Sequence, residues 1–284
     1  MNGVKTALLL GLLSALLLVG GQAIAGEQGL YLGLALAAAM NFASYFFSEK
    51  IALMAHGAEP VTASENAEVY YRVAPIVQSL TQRMGLPMPK LWLIPEEAPN
   101  AFATGRNPSH SSVAFTAGLL ALMDDAELEG VIAHELSHIK NRDILISSVA
   151  ATLAAAITMI GRMAFFFGGA RDDEDRQGSA LGALVMMIVA PLAAMLIQMA
   201  ISRTREFSAD ASAARYAGTP DGLIRALRKL ETWSQRIPMD AQPAMAHMYI
   251  IKPLTGSTWM RLFSTHPATE ERIARLAALR GAIE

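Results

Sequence analysis

Residues 134–138 read His134-Glu135-Leu136-Ser137-His138. Histidines four apart lie on one face of a helix, so both imidazoles can reach one metal ion. Neutral imidazole is a good zinc ligand. Glu135 projects beside the pair, where its carboxylate can act as a base. The helix is set up locally. Asp124 can cap it, with Glu127 three residues on as the reciprocal partner. Val131, Ile132, Leu136 and Ile139 make it mostly apolar. Two surface histidines on a polar helix would be the bland alternative. The apolar neighbours argue against it, because a buried polar cluster without a partner is costly.

Outside this motif the chain is unusually apolar. Its 284 residues are 53% hydrophobic and 17% charged, with a mean hydropathy of +0.33. A soluble domain carries about 25% charged residues. Four apolar stretches account for the difference: residues 4–25, 30–47, 144–161 (reaching towards 167) and 180–201. A membrane-spanning helix needs about 20 such residues. The second is slightly short and contains Asn41, and the third is interrupted by Arg162. Cleavage of the first as a signal peptide after Ala25 is an alternative, but a second apolar run follows at once. A retained hairpin turning at Gly26-Glu27-Gln28 is the expectation. The net charge of −2 and the absence of a basic patch exclude a nucleic-acid partner. The chain has no cysteine, so disulfides, thiolate metal ligands and a cysteine nucleophile are excluded.

Charge sets the expected topology. The turn after the third stretch, Arg171-Asp172-Asp173-Glu174-Asp175-Arg176, is net acidic. The segment after the fourth carries Arg203, Arg205, Arg215, Arg225, Arg228 and Lys229. Excess Lys and Arg mark the cytoplasmic side. Both termini and residues 49–143 and 202–284 are therefore expected in the cytoplasm. The domain organisation follows: a hairpin in the bilayer over 1–48, a first catalytic segment over 49–143, a second hairpin over 144–201 and a second catalytic segment over 202–284. A helix is expected over 65–84, capped by Ser64 and kinked or split at Pro75. Short strands are expected at 90–94, 100–104 and 112–116, with Gly105-Arg106-Asn107-Pro108 as a turn. The fold class is mainly α with a small β-sheet and four transmembrane helices.

A catalytic zinc needs a third protein ligand and an open position. The metzincin spacing is excluded, because Asn141 and Ile144 replace its glycine and third histidine. A distant glutamate is the alternative. Glu206-Phe207-Ser208-Ala209-Asp210 reads as another helix, with Glu206 and Asp210 on one face. Glu206 would be the ligand, and Asp210 would orient a ligating imidazole. A solvated acidic helix face is the other reading of this pair.

The chain resembles the HtpX-like membrane zinc peptidases, relatives of the CAAX prenyl proteases. The resemblance covers nearly the whole sequence. It rests on Pro99-Asn100-Ala101-Phe102-Ala103-Thr104-Gly105, on His134 to His138 with Asn141-Arg142-Asp143, on Ser202-Arg203-Thr204-Arg205-Glu206 through Asp210, and on Ser264-Thr265-His266-Pro267 with Glu270-Glu271-Arg272. It implies a gluzincin-like core with one zinc per chain, in a multi-pass protein of a bacterial-type plasma membrane. It further implies an endopeptidase that cleaves damaged or misfolded membrane proteins in a stress response. His266 is then a candidate donor to the developing oxyanion, with a structural histidine as the alternative. Asn100, Ala101, Phe102 and Ala103 are candidates for an edge strand that pairs with extended substrate, or for an ordinary strand of the sheet. A specific prenyl-protein processing enzyme and a non-catalytic zinc scaffold are the alternative functions. Neither oligomeric state nor cleavage preference is legible.

Overall fold

A long helix α1 (Asn2–Ala55) opens the chain. The computed structural model describes residues 2–147, 149, 203–236 and 267–281. Within α1, Gly26 has φ +60°, a left-handed conformation that suits a residue without Cβ. The chain doubles back there. Asn41 Nδ2 donates to Ser14 Oγ at 2.9 Å and to Leu10 O at 3.4 Å, although a straight helix would hold residues 10 and 41 about 46 Å apart. Gly33 lies so close to the Leu17 carbonyl that no Cβ would fit. The hairpin expected at Gly26 is therefore present, and Asn41 serves as its internal polar clasp. The second arm, Gly26–Ala55, is long and apolar enough to cross a membrane, and Gly3–Val19 is a shorter apolar helix. Large exposed apolar side chains, among the described residues, lie on α1 with the exceptions of Tyr71 and Met88. Most of the third stretch and all of the fourth fall outside the described residues. Residues 144–147 are helical, and Ile146 and Val149 pack on Leu9 and Leu13 of the hairpin.

The sheet has four strands in the order β1-β2-β4-β3: β1 (Glu59–Pro60), β2 (Lys90–Ile94), β3 (Ala101–Asn107) and β4 (His110–Thr116). β2 runs parallel to β4, and the other pairs are antiparallel. β3 and β4 are longer than expected. Their ladder continues through the anticipated turn residues, because an irregularity between Gly105 and Asn107 absorbs the bend without ending the pairing. The two-residue β1 and the short helix α3 (Ala117–Leu122), capped by Thr116 Oγ1, carry too little pattern to be anticipated.

Helix α2 (Ala67–Met84) starts at Asn66, which has φ 54° and no side-chain cap. Ser64 does not cap it. Its backbone N–H instead reaches Thr62 Oγ1, as does that of Glu65. Pro75 does not split the helix. It lies on the exposed face of the helix, as does Tyr71, the residue whose carbonyl a proline at 75 leaves without its helical donor. Helix α4 (Asp125–Lys140) is the centre of the fold, and its capping box is formed by Asp124 and Glu127 as the sequence predicts. Around it pack α2, β3, β4, α5 (Arg203–Ala217) and α6 (Asp221–Arg236). Val131, Ile132, Leu136 and Ile139 are buried with Leu223, Leu227 and Leu230 of α6. The terminal α7 (Thr269–Ala278) rests on α5 and α6.

Candidate metal centre

α4 delivers His134, Glu135 and His138 to one place, and α5 delivers Glu206 to the same place. All four are buried or nearly so. His134 Nε2 and His138 Nε2 are 3.3 Å apart. The Glu206 carboxylate is 3.6 Å from each of them, through Oε2 and Oε1 respectively. Ligand atoms at zinc–ligand distances of about 2.0–2.2 Å from a tetrahedral centre lie about 3.3–3.6 Å apart. His134, His138 and Glu206 each offer a ligand atom within 4.8 Å of the others, so a zinc ion fits once one Glu206 oxygen turns towards both imidazoles. Among the described residues this is the group of histidine and acidic side chains able to hold one.

Each imidazole turns its other nitrogen to a carboxylate. His134 Nδ1 is 2.9 Å from Asp210 Oδ1, and His138 Nδ1 is 3.3 Å from Asp143 Oδ2. Donation from Nδ1 leaves Nε2 with its lone pair aimed at the cluster. Asp210 sits one helical turn after Glu206, so one face of α5 carries both residues, as the sequence predicts. Arg272 of α7 grips Asp210 in turn, with Nε to Oδ2 at 2.8 Å and Nη2 to Oδ1 at 2.7 Å.

The electrostatics follow this arrangement. Burial pushes the His134 imidazole down, but hydrogen bonds to Asp210 and Glu206 more than offset it and hold the group at about 9. Burial pushes Asp210 up, yet the Arg272 guanidinium and His134 hold it at about 2. The Glu135 carboxyl is pushed up by burial, against the pull of His134 and His138. That direction suits a base, since it raises proton affinity towards neutrality. Glu135 Oε2 also accepts a hydrogen bond of 2.9 Å from the Ala103 N–H on β3. Ala103 is on the terminal strand of the sheet, and this N–H points away from β4 towards the cluster.

The remaining sequence candidates are more dispersed. The Asn100 backbone joins Thr116, its N–H donating to Thr116 Oγ1 and its carbonyl accepting from Thr116. The Phe102 side chain points into the layer between sheet and α1, against His56, Ala52 and Leu53. His266 lies outside the described residues.

Two residues at the centre were quoted in the sequence only as part of a motif. Arg272 is buried inside α7, and a signal for it existed. Arg272 lies four residues before the apolar Leu276 and so shares its helix face. A buried arginine on such a face implies a carboxylate partner. Asp143, just ahead of the third apolar stretch, gave no comparable signal.

Comparison with known proteins agrees with this geometry. Residues 68–280 match the description of Peptidase family M48. Two proteins called Protease HtpX homolog are each 52% identical to the chain. That of Desulforapulum autotrophicum aligns over 97% of this chain and 89% of its own length. That of Thermodesulfovibrio yellowstonii aligns over 98% and 99%. The crystal structure of S. mikatae Ste24p has a similar fold, with a TM-score of 0.52 at 19% identity. It is covered over 97% of this chain, which spans 64% of that longer protein. A histidine–histidine–glutamate cluster fit for zinc, an apolar helix of membrane-spanning length and relatives of this closeness have one common account: the chain belongs to peptidase family M48 and is a membrane metalloprotease.

Proposed function

We propose that His134, His138 and Glu206 hold the catalytic zinc and that Glu135 is the general base of an endopeptidase. The observation that carries this reading is the convergence of two imidazole nitrogens 3.3 Å apart and a carboxylate that approaches each of them to 3.6 Å, with Glu135 buried beside them. A zinc ion there supplies a Lewis acid for the scissile carbonyl and lowers the pKa of water towards about 7. Glu135 takes the proton of the attacking water and passes it to the leaving amine. Asp210 keeps His134 in the tautomer that presents Nε2. His266 donates to the developing oxyanion. The segment Asn100, Ala101, Phe102 and Ala103 lies along the outer edge of the sheet and lines the path of an extended polypeptide, with the Asn100 backbone anchored to Thr116 on the inner side. Support for that edge comes from the backbone of Ala103, which reaches Glu135 directly. The Phe102 side chain serves the hydrophobic layer behind it.

The substrates of this reading are membrane polypeptides, misfolded or damaged. Four transmembrane helices in two hairpins, residues 1–48 and 144–201, hold the two catalytic segments 49–143 and 202–284 at the cytoplasmic face of a bacterial-type plasma membrane. The Lys and Arg excess after residue 201 supports that orientation. The HtpX relatives favour it over a specific prenyl-protein processing enzyme or a non-catalytic zinc scaffold.

Zinc content and casein cleavage of the detergent-purified full chain test the assignment. Glu135→Gln should keep zinc and lose cleavage, by about 10²-fold or more. Glu206→Ala should lose zinc and cleavage together. Full zinc occupancy in Glu206→Ala would show that the third ligand is another residue, and wild-type cleavage by Glu135→Gln would remove it as the base.

A further inference from the structure

The two ligating histidines are braced in parallel. His134 leans on Asp210, which leans on Arg272. His138 leans on Asp143 at 3.3 Å, and Asp143 Oδ1 is 3.8 Å from Arg205 Nη1. The first chain is tight and comes from α5 and α7. The second is looser and comes from the two ends of the apolar insert. Asp143 directly precedes residue 144, where that insert begins, and Arg205 lies in the first turn of α5, just after it.

The backbone is bent to make this second contact. In a continuing helix, residue 143 would be turned about 140° from residue 138. Instead α4 stops at Lys140, and Arg142 takes φ 57°, a conformation rare for a residue with a Cβ. The Asp143 N–H then reaches back to the His138 carbonyl at 2.9 Å, and its carboxylate returns over the imidazole. Asp143 is buried, and the Arg205 side chain is only 14% exposed. Arg205 places a cation beside the buried Asp143 carboxylate, which offsets part of the cost of holding that group away from water.

We propose that Asp143 and Arg205 are positioning residues for the metal: Asp143 fixes the tautomer and orientation of His138, and Arg205 holds Asp143 in place while tying the two stems of the apolar insert together at the zinc site. The proposal rests on the assignment of His134, His138 and Glu206 as zinc ligands. Neither residue touches substrate, and each acts through His138.

The test is zinc affinity of the full-length protein in detergent, by competition with a chromogenic chelator, together with the visible spectrum of the cobalt-substituted protein. Asp143→Asn and Asp143→Ala should weaken zinc binding about 10–100-fold, as losses of partners behind a ligating imidazole do. Their cobalt bands should shift, because the His138 ring is no longer held. Arg205→Ala should weaken zinc in the same direction, and Arg205→Lys should restore most of the affinity. Thermal unfolding of the zinc-free proteins separates a structural role. If the variants unfold earlier but bind zinc and cobalt as the wild type does, the proposal is wrong. The near-isosteric Asp143→Asn keeps the test open should Asp143→Ala not fold. His134→Ala serves as the reference. Its zinc affinity should collapse; wild-type affinity there would overturn the ligand assignment itself. Collapse in His134→Ala, with no change in Asp143→Asn or Arg205→Ala, would overturn this proposal alone.

Discussion

Arg272 and Asp210, 62 residues apart in sequence, meet through two near-parallel hydrogen bonds of 2.8 and 2.7 Å in the protein interior. The pair joins α7 to α5 directly behind His134. Removing the guanidinium leaves a buried carboxylate without its counter-charge. Breaking a buried pair in this way costs about 3–5 kcal/mol. Arg272→Ala is therefore expected to lower the unfolding midpoint strongly and to weaken zinc binding with it. Arg272→Lys restores the charge but not the fork of donors, and should recover only part of both. Denaturant unfolding of the zinc-free and zinc-loaded proteins measures the two effects. A loss below about 1 kcal/mol would mean that the pair is dispensable.

Proton release should accompany zinc binding. With its pKa held at about 9, His134 carries a proton at neutral pH in the metal-free protein. Zinc needs the Nε2 lone pair, so that proton must leave. The expected result at pH 7 is release of about one proton or more per zinc, and an affinity that rises with pH until about pH 9. Calorimetry in buffers of different ionisation enthalpy counts the protons. Zinc binding without proton release at pH 7 would contradict the protonated state.

Gly130 should resist replacement by alanine. It lies in α4, one turn before His134, against the backbone of Leu223 on α6. Gly222 of α6 likewise abuts the Ala126 carbonyl. Alanine would favour the helix by about 1 kcal/mol. A Cβ at Gly130 would overlap main-chain atoms, which cannot rotate away as a side chain can. Overpacking of this kind costs about 1–3 kcal/mol, so the net effect of Gly130→Ala is expected to be destabilising. A raised melting temperature would show that α6 moves away without cost.

Topology can be read by labelling, because the chain has no cysteine of its own. A cysteine introduced at Asp175, in the acidic turn, should react from outside the cell with a membrane-impermeant maleimide. One introduced at Asp221, on the amphipathic α6, should react only after the membrane is opened. Reaction of position 175 solely from the cytoplasmic side would invert the proposed arrangement.

The sequence by itself determined what local periodicity controls. The capping pair Asp124 and Glu127, the burial of α4 and the shared face of His134 and His138 all follow from residues within a few turns of one another. So does the reversal at Gly26, where glycine sits between two apolar runs. The pairing of Glu206 with Asp210 was legible for the same reason, since a four-residue spacing fixes a common face. Tertiary structure decided what those faces meet. Nothing in the spacing of residues 138 and 206 states that their side chains come within 3.6 Å, because that distance depends on packing between α4 and α5. The partner of Arg272 was hidden in the same way, by 62 residues of intervening chain. The parallel alignment of β2 with β4 required chain between them that carries its own strand, β3. Asp143 was hidden for a smaller reason. Its return to His138 depends on a single left-handed residue, Arg142, and helix periodicity would have turned it the other way. Long-range contacts and single-residue backbone reversals leave no period in a sequence, and they are what completed this site.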